Sequence, residues 1–428
     1  MGKYIKKEII THQCCPVKGV TKKSKISMRC GIKSLLKTLP HKEILDLSHH
    51  NTLFSQVLSL IPRHVFQKLE HRHKAGRASR KFGFKEQFTA MAFIQLAARR
   101  SMRDGLRCLA AAGNRLYHWG LKNVPRSTFA DANNSRPVGF FKDLFAEMYG
   151  LCQPHAPRHK FRFKCKLYSM DATTISLCLS VFPWASFRRN KAGVKVNTVL
   201  DHDGYIPAFV DISNAKTHES RMAKSLSLPK GSIVTFDKGY IAYSWFQVLA
   251  TKGIFFVTRL KDNAVFKLLE RRPVNRKTGV TSDHIIEVKH SRGKTLRLRR
   301  IGYRDAKTGK RYEFLTNHFR LSAKTIADIY KERWQIEIFF REVKQNLHIK
   351  SFVGRSENAV LIQIYTALTV YLLMAYQKIL SKLKLSVQQL FELICVNLFG
   401  KDSLEELLKP RRSKTQNSYS LSLLALVA

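Results

Sequence analysis

Three carboxylates occupy stretches that a folded chain could bring together. Asp171 lies in the alternating segment KLYSMDATTISLCL, Asp237 directly follows the apolar run IVTF, and Glu337 lies in YKERWQIEIFFREVK. Carboxylates gathered at one place repel one another, so protons or divalent metal ions must neutralise them. Two Mg²⁺ ions held by carboxylates can activate a water or a 3′ hydroxyl for in-line phosphoryl transfer, and Mn²⁺ suits the same oxygen ligands. We therefore predict that Asp171, Asp237 and Glu337 are catalytic metal ligands.

The segment around Glu337 has the periodicity of an amphipathic α-helix. At about 100° per residue, one narrow arc holds Glu337 and four further residues: Tyr330, Arg333, Arg341 and Lys344. In an isolated helix, such an arc is more often a solvated face with spaced ion pairs. The functional interpretation is that these four side chains bind the phosphates and backbone of a nucleic acid beside the metals. Arg259, at the end of the segment GIFFVTRL, is a further candidate for DNA binding.

The segments around Asp171 and Asp237 predict an α/β fold. Between residues 166 and 260 the pattern predicts, in order, a strand, a β-hairpin, a helix, a strand, a helix and a strand. This order builds a mixed sheet with three antiparallel strands, later strands added in parallel, and helices on both faces. Asp171 and Asp237 would then meet at the edge where open α/β sheets bind ligands.

The remaining segments predict four parts. Residues 102–113 and 121–137 are typical of either a helix-turn-helix or two ordinary packed helices. Short strands follow residue 260, and in them Lys289, Arg297 and Arg299 alternate with apolar residues, which predicts a cationic face. The predicted domains are a basic N-terminal arm (1–50), a helical DNA-binding domain (51–150), a catalytic domain with a β-rich insertion at about 261–320 (151–380), and a C-terminal helical tail (381–428).

The charge of the chain indicates a polyanionic partner. The 428 residues include 76 Lys and Arg but 30 Asp and Glu, a formal net charge of +46. Nucleic acid is the partner that such a charge favours, through counterion release at phosphates. Basic ribosomal-type or coating proteins rarely have 44% hydrophobic residues, so we expect a folded protein that acts on nucleic acid. The uncharged stretch at 358–377 is long enough to span a bilayer, but its polar residues favour a buried core helix.

Three sequence blocks resemble one known family. The spacing of Tyr330, Arg333, Glu337 and Lys344 resembles the Y-R-E-K signature of bacterial insertion-sequence transposases of the insertion sequence four family. SMDATTI around Asp171 and FDKGY around the second aspartate resemble the family's two aspartate motifs. The β-rich insertion also precedes the glutamate, as in the family. Three blocks in the right order on the right elements are far more specific than any one of them.

The resemblance implies an RNase H-like fold with a DDE catalytic domain and cut-and-paste transposition. In this scheme a homodimer binds the terminal inverted repeats of double-stranded DNA, Mg²⁺-dependent cleavage frees the element, and its ends are joined to target DNA. The implied location is the bacterial cytoplasm at the nucleoid, without a membrane. Some family members hold a flipped base on an aromatic residue; Trp245 is either that residue or part of the core.

Two alternatives remain open from the sequence. An RNase H-like endonuclease or resolvase would share the carboxylates and the metals but would not join strands. A non-catalytic, sequence-specific DNA-binding protein would explain the charge but not three convergent carboxylates. Strand joining distinguishes the first alternative, and metal-dependent cleavage distinguishes the second.

Overall fold

The computed structural model describes most of the chain after residue 51. The described ranges are 52–73, 82–215, 226–289, 293–346, 352–382 and 384–408. The predicted basic arm, all but the last residue of the helix predicted at 217–226, and the end of the predicted tail therefore lie outside the described residues.

Helices form the first part of the described chain. Thr52 caps the first of them, where its hydroxyl accepts hydrogen bonds from the Ser55 backbone and, at 2.7 Å, from Trp119 Nε1. The helices are α1 (Leu53–Ser59), α2 (Arg63–Arg72), α3 (Phe84–Leu96), α4 (Met102–Ala111), α5 (Arg115–His118), α6 (Arg126–Ser135) and α7 (Val138–Cys152). Because α5 lies within the connection between α4 and α6, these two helices are not joined by the tight turn of a helix-turn-helix.

A mixed sheet follows the helices. Its first six strands are β1 (Leu167–Leu177), β2 (Ser186–Arg188), β3 (Lys191–Asp201), β4 (Ile206–Asn214), β5 (Ile233–Phe236) and β6 (Phe255–Arg259). Strands β3, β1, β5 and β6 lie side by side in that order, and β4 and β2 both pair with β3. β1 is antiparallel to β3 and parallel to β5, and β5 is parallel to β6. The predicted RNase H-like mixed sheet is thus confirmed, including the hairpin β3–β4.

Helices cover both faces of the central strands. α8 (Tyr243–Thr251) packs with Val234 and Phe256 on one face, whereas α9 (Ala323–Glu332) packs with Ile233 and Val257 on the other. Alternate residues of β5 and β6 are therefore buried on opposite faces, which explains why both strands have continuous apolar sequences.

The β-rich insertion extends the same sheet. It consists of β7 (Lys267–Arg271), β8 (Val280–Lys289), β9 (Thr295–Arg304) and β10 (Arg311–Thr316), and β10 pairs with β6. The prediction that Arg299 contributes to a cationic face is wrong, because this side chain is 2% exposed. Arg299 forms two bonds to Asp283, at 2.8 and 2.7 Å, and also donates to the backbone carbonyls of His318 and Leu321.

The helix predicted around Glu337 is two helices. α9 ends at Glu332, α10 (Trp334–Asn346) begins two residues later, and Arg333 lies between them. The uncharged stretch forms α11 (Glu357–Ser381), which is long and apolar enough to cross a membrane but is mostly buried in the protein, as predicted for a core helix. The last described helices are α12 (Val387–Val396) and α13 (Leu404–Leu408).

The buried Arg299–Asp283 pair predicts a large stability effect. Asp283→Asn leaves the Arg299 guanidinium buried without its counter-charge, which should lower the free energy of unfolding by about 3–5 kcal/mol. The matched control is Arg297→Met on the same strand, because Arg297 is 62% exposed and 3.7 Å from Glu270; it should cost about 1 kcal/mol or less. Denaturant unfolding of both variants measures the difference, and equal losses would contradict the structural role of the buried pair.

Candidate active site

Asp171 and Asp237 are brought together by two neighbouring parallel strands. The register of β1 and β5 pairs Met170 with Phe236, and each aspartate is the next residue along the chain. At this point β1 continues as a strand, whereas β5 ends and Asp237 begins a short 3₁₀ turn. The two carboxylates therefore lie at adjacent positions where β5 ends, as the sequence predicts.

Arg333 connects Asp171 with Glu337. Its guanidinium donates to Asp171 Oδ2 at 3.1 Å and to Glu337 Oε1 at 2.7 Å. The Arg333 side chain is 15% exposed, compared with 21% for Asp171 and 34% for Glu337. The partly buried guanidinium of Arg333 thus contacts two carboxylates that are distant from each other in the sequence.

The electrostatics of Asp171 show that the other two carboxylates act on it. Burial raises the pKa of Asp171 from 3.8 to about 6, and the negative charges of Glu337 and Asp237 act in the same direction. The backbone N–H of Ala172, 2.8 Å from Asp171 Oδ1, and the Arg333 guanidinium lower this pKa but do not cancel the effect of burial. The charged form of Asp171 is therefore disfavoured in the folded protein, and an added cation would stabilise it.

Tyr330 contacts the remaining carboxylate. Its hydroxyl donates to Asp237 Oδ1 at 3.3 Å, and the Arg333 guanidinium carbon lies 5.7 Å from the centre of its ring. Burial raises the pKa of Tyr330 to about 12, so the hydroxyl stays protonated and remains a donor at neutral pH. The charge of Arg259 also acts on this hydroxyl, which places Arg259 near the site. Its guanidinium packs over Tyr312 at 5.4 Å.

The two other predicted DNA-binding residues differ in their surroundings. Lys344 donates from Nζ to the hydroxyl of Thr173, which is two residues after Asp171 on β1 and therefore on the same face of the strand. Arg341 is exposed to solvent. The Lys344 ammonium thus lies on the face of β1 that carries Asp171, the carboxylate side, whereas Arg341 presents its charge to solvent. Thr173 was not predicted, although its spacing from Asp171 was a usable signal.

The donor set suits a hard divalent cation. Three carboxylates provide the oxygen ligands that Mg²⁺ and Mn²⁺ prefer, and the raised pKa of Asp171 indicates that positive charge is favoured there. In the part of the chain that the structure describes, no group of three His, Cys, Asp or Glu side chains is arranged to hold a metal ion. The Arg333 guanidinium instead bridges Asp171 and Glu337. The residues fit a metal, but Arg333 would have to give up one or both contacts.

Other acidic side chains near these elements have different partners. Asp201 and Asp203 both pair with Lys166, at 2.9 and 2.7 Å, at the turn of the β3–β4 hairpin. Glu342 accepts a hydrogen bond from Tyr371 at 3.1 Å. Trp245 is 5% exposed and lies 4.9 Å from the Phe236 ring, so it is part of the core.

A family model matches the segment that carries these carboxylates, and several known proteins are similar to this chain. A family model described as "Transposase DDE domain" matches residues 165–373, and a model described as "Domain of unknown function (DUF4372)" matches residues 49–122. A putative transposase, y4zB, of Sinorhizobium fredii is 32% identical over 289 residues, which cover 66% of this chain and 79% of that protein.

Two further relatives have similar names. A probable transposase for insertion sequence element IS5377 from Geobacillus stearothermophilus is 28% identical over 77% of this chain and 86% of its own length. A putative transposase for insertion sequence element IS4SA from Synechocystis is 23% identical over 59% of this chain and 72% of its own length.

The raised pKa of Asp171 predicts a pH-dependent stability cost. Because the pKa of Asp171 is raised from 3.8 to about 6, the folded protein retains this proton over a pH range in which the unfolded chain has lost it. The resulting contribution to stability is complete below about pH 4 and is lost as the pH rises through about 6. Without metal, Asp171→Asn should be more stable than the wild type at pH 7, by on the order of 3 kcal/mol.

Thermal unfolding of both proteins between pH 4 and pH 7, in the presence of a chelator, measures this difference. The advantage of Asp171→Asn should shrink towards pH 4. A stability difference that stays constant over this range would contradict a burial cost that Arg333 offsets only in part.

Proposed function

The chain belongs to the bacterial insertion-sequence transposases of the DDE class, and from this premise we propose that Asp171, Asp237 and Glu337 are its catalytic carboxylates. The chain is a transposase, an enzyme that acts on DNA and depends on divalent metal ions, as its family does. The observation that carries the assignment is the bridge from Arg333 to Asp171 and Glu337, which unites a strand and a helix that are distant in sequence.

We propose Mg²⁺, most simply as two ions, as the metal that these carboxylates hold, with Mn²⁺ as a substitute. When bound, the metal activates the attacking hydroxyl and stabilises the leaving oxygen of the DNA backbone. The protein contributes the positions of its side chains. Adjacent strands present Asp171 and Asp237, α10 presents Glu337, and the Tyr330 hydroxyl orients one oxygen of Asp237.

The cations around the carboxylates are proposed to bind DNA phosphates. Arg333 can bind a phosphate through two parallel N–H donors, which a lysine cannot do. Lys344, beside Thr173, would bind a phosphate on the carboxylate side of β1. Arg259 and Arg341 would bind the backbone farther from the reacting atoms, and Tyr330 would position the DNA end.

The wider activity follows the same proposal. Cleavage occurs at the terminal inverted repeats, and the freed ends are joined to target DNA by a cut-and-paste mechanism. A homodimer brings two ends together, and the helical region from 51 to 150 binds the DNA beside the catalytic domain at 151–380. The basic charge of the chain supports action at the nucleoid in the bacterial cytoplasm.

Glu337→Gln tests the catalytic assignment. It keeps the shape of the side chain but removes the charge that a metal ligand needs, so cleavage and strand joining should fall by at least about 100-fold while DNA binding changes little. The matched control is Glu342→Gln on the same helix, because its carboxylate accepts a hydrogen bond from Tyr371 and does not face the site. End-labelled duplexes that carry the DNA flanking the gene, incubated with Mg²⁺, report cleavage and joining separately.

The two readouts distinguish the alternatives. Cleavage by Glu337→Gln at the wild-type rate would reject the role of this carboxylate. Wild-type cleavage without any joined product would favour a nuclease or resolvase. Loss of activity in Glu342→Gln as well would show that α10 tolerates no change of charge, and the assignment would then lack support.

A further inference from the structure

A second basic surface lies outside the carboxylate site. An open cavity of about 880 Å³ is lined by residues before and at the start of α4, by α6, and by the segment that leads into α11. Four of its lining residues are arginines, Arg100, Arg103, Arg126 and Arg355, and we call this cavity the arginine groove. Its lining includes no aspartate or glutamate, so the groove concentrates positive charge on a concave surface.

The charge of the groove is available to a ligand. All four arginines are exposed, and none of them forms an ion pair within the described residues. The neighbouring acid Asp104 faces Arg99, at 3.8 Å, and Glu357 is an exposed residue at the start of α11. Several unpaired guanidinium groups around one cavity repel one another, so a polyanion that fills the cavity would be strongly favoured.

The walls of the groove are held in place by hydrogen bonds between distant segments. Ser356 Oγ donates to Asn134 Oδ1 at 2.7 Å, and the Asn358 side chain donates to the backbone carbonyls of Asn133 and Arg136 at 2.9 and 2.8 Å. Trp184 Nε1 donates to the Arg355 carbonyl at 2.9 Å. The bonds of Ser356 and Asn358 connect the N-terminal helices to the catalytic region, and the bond of Trp184 holds the Arg355 backbone, so the walls of the groove are tied together.

The groove lies on the continuation of the strand that carries Asp171. β1 runs from Asp171 to its end at Leu177, and the chain then reaches Val181 and Phe182, which line the groove. At about 3.3 Å per residue, the strand covers roughly 20 Å from Asp171 to its end. At about 3.4 Å per base pair, a duplex covers this distance in roughly six base pairs.

We infer that the arginine groove binds the sugar-phosphate backbone of the duplex, several base pairs inside the DNA end that is cleaved at the carboxylates. The inference rests on the proposed function, and it identifies the part of the substrate that this surface holds. Guanidinium groups from three chain segments match the spaced phosphates of a duplex better than they match one compact anion. Contacts to the backbone supply affinity without reading sequence.

The double variant Arg103→Ala/Arg126→Ala tests this inference. For a blunt 30-base-pair duplex of random sequence, it should bind about 10- to 100-fold more weakly than the wild type at moderate salt. The slope of log affinity against log salt should become shallower by about 2, because two phosphate contacts are lost. The matched control is Arg63→Ala/Arg276→Ala, which removes the same charge from exposed positions outside the groove. This control should keep most of the affinity and the slope.

Two further measurements make the test specific. Arg103→Lys/Arg126→Lys keeps both charges and should restore most of the affinity and the salt slope. If the alanine variant bound weakly because it was misfolded, restoring the charges would not restore both quantities. On a hairpin with a stem of five base pairs, which is too short to reach the groove, the alanine variant and the wild type should bind equally. Fluorescence anisotropy of labelled DNA measures all of these affinities.

The inference is overturned if the groove variant and the control variant lose equal affinity for the long duplex. It is also overturned if single-stranded RNA of the same length competes better than the duplex, because RNA would then be the partner. Failure of the proposed function has a different result. Metal-dependent cleavage would persist in Glu337→Gln while the groove variant still bound DNA weakly.

Discussion

The contacts of Arg333 with Asp171 and Glu337 are the interaction on which the arrangement of the site depends. Two carboxylates and the neighbouring Asp237 would repel one another in a partly buried position, and burial, together with the charges of Glu337 and Asp237, raises the pKa of Asp171 to about 6 even with Arg333 in place. A guanidinium with planar, forked donors can neutralise both partners at once. The break between α9 and α10 falls at this residue, whose side chain reaches β1 and α10 while its backbone keeps the right-handed helical conformation.

Burial of Asp171, which Arg333 offsets only in part, explains why the site costs stability. An aspartate whose pKa is raised in the folded state favours a neutral form that a metal ligand cannot use. The protein keeps this charge because the strands around it are strongly held: β1 lies between two paired neighbours, and buried residues of β5 and β6 pack against helices on both faces. A well-packed sheet can therefore support a site that its own electrostatics disfavour.

Local patterns were sufficient to predict the strands and the positions of the carboxylates. Alternation along β1 and in the β3–β4 hairpin, and the apolar run before Asp237, are properties of a few consecutive residues. Arg299 shows the limit of such patterns, because an alternating arginine is equally consistent with a solvated face and with a buried ion pair. Only its partner Asp283, on the neighbouring strand, decides between them. The pairing of β10 with β6 and the break at Arg333 likewise depend on contacts between distant segments.

The stripe of charges around Glu337 illustrates how tertiary contacts change the meaning of a local pattern. Taken alone, Arg333 and Glu337 are an ordinary ion pair four residues apart, of the kind that stabilises a solvated helix slightly. In the folded protein, Arg333 also reaches Asp171, and Lys344 reaches Thr173 on the same strand. A solvated face would not place its cations on the strand that carries another carboxylate. The contacts with β1, rather than the spacing on the helix, therefore carry the functional interpretation.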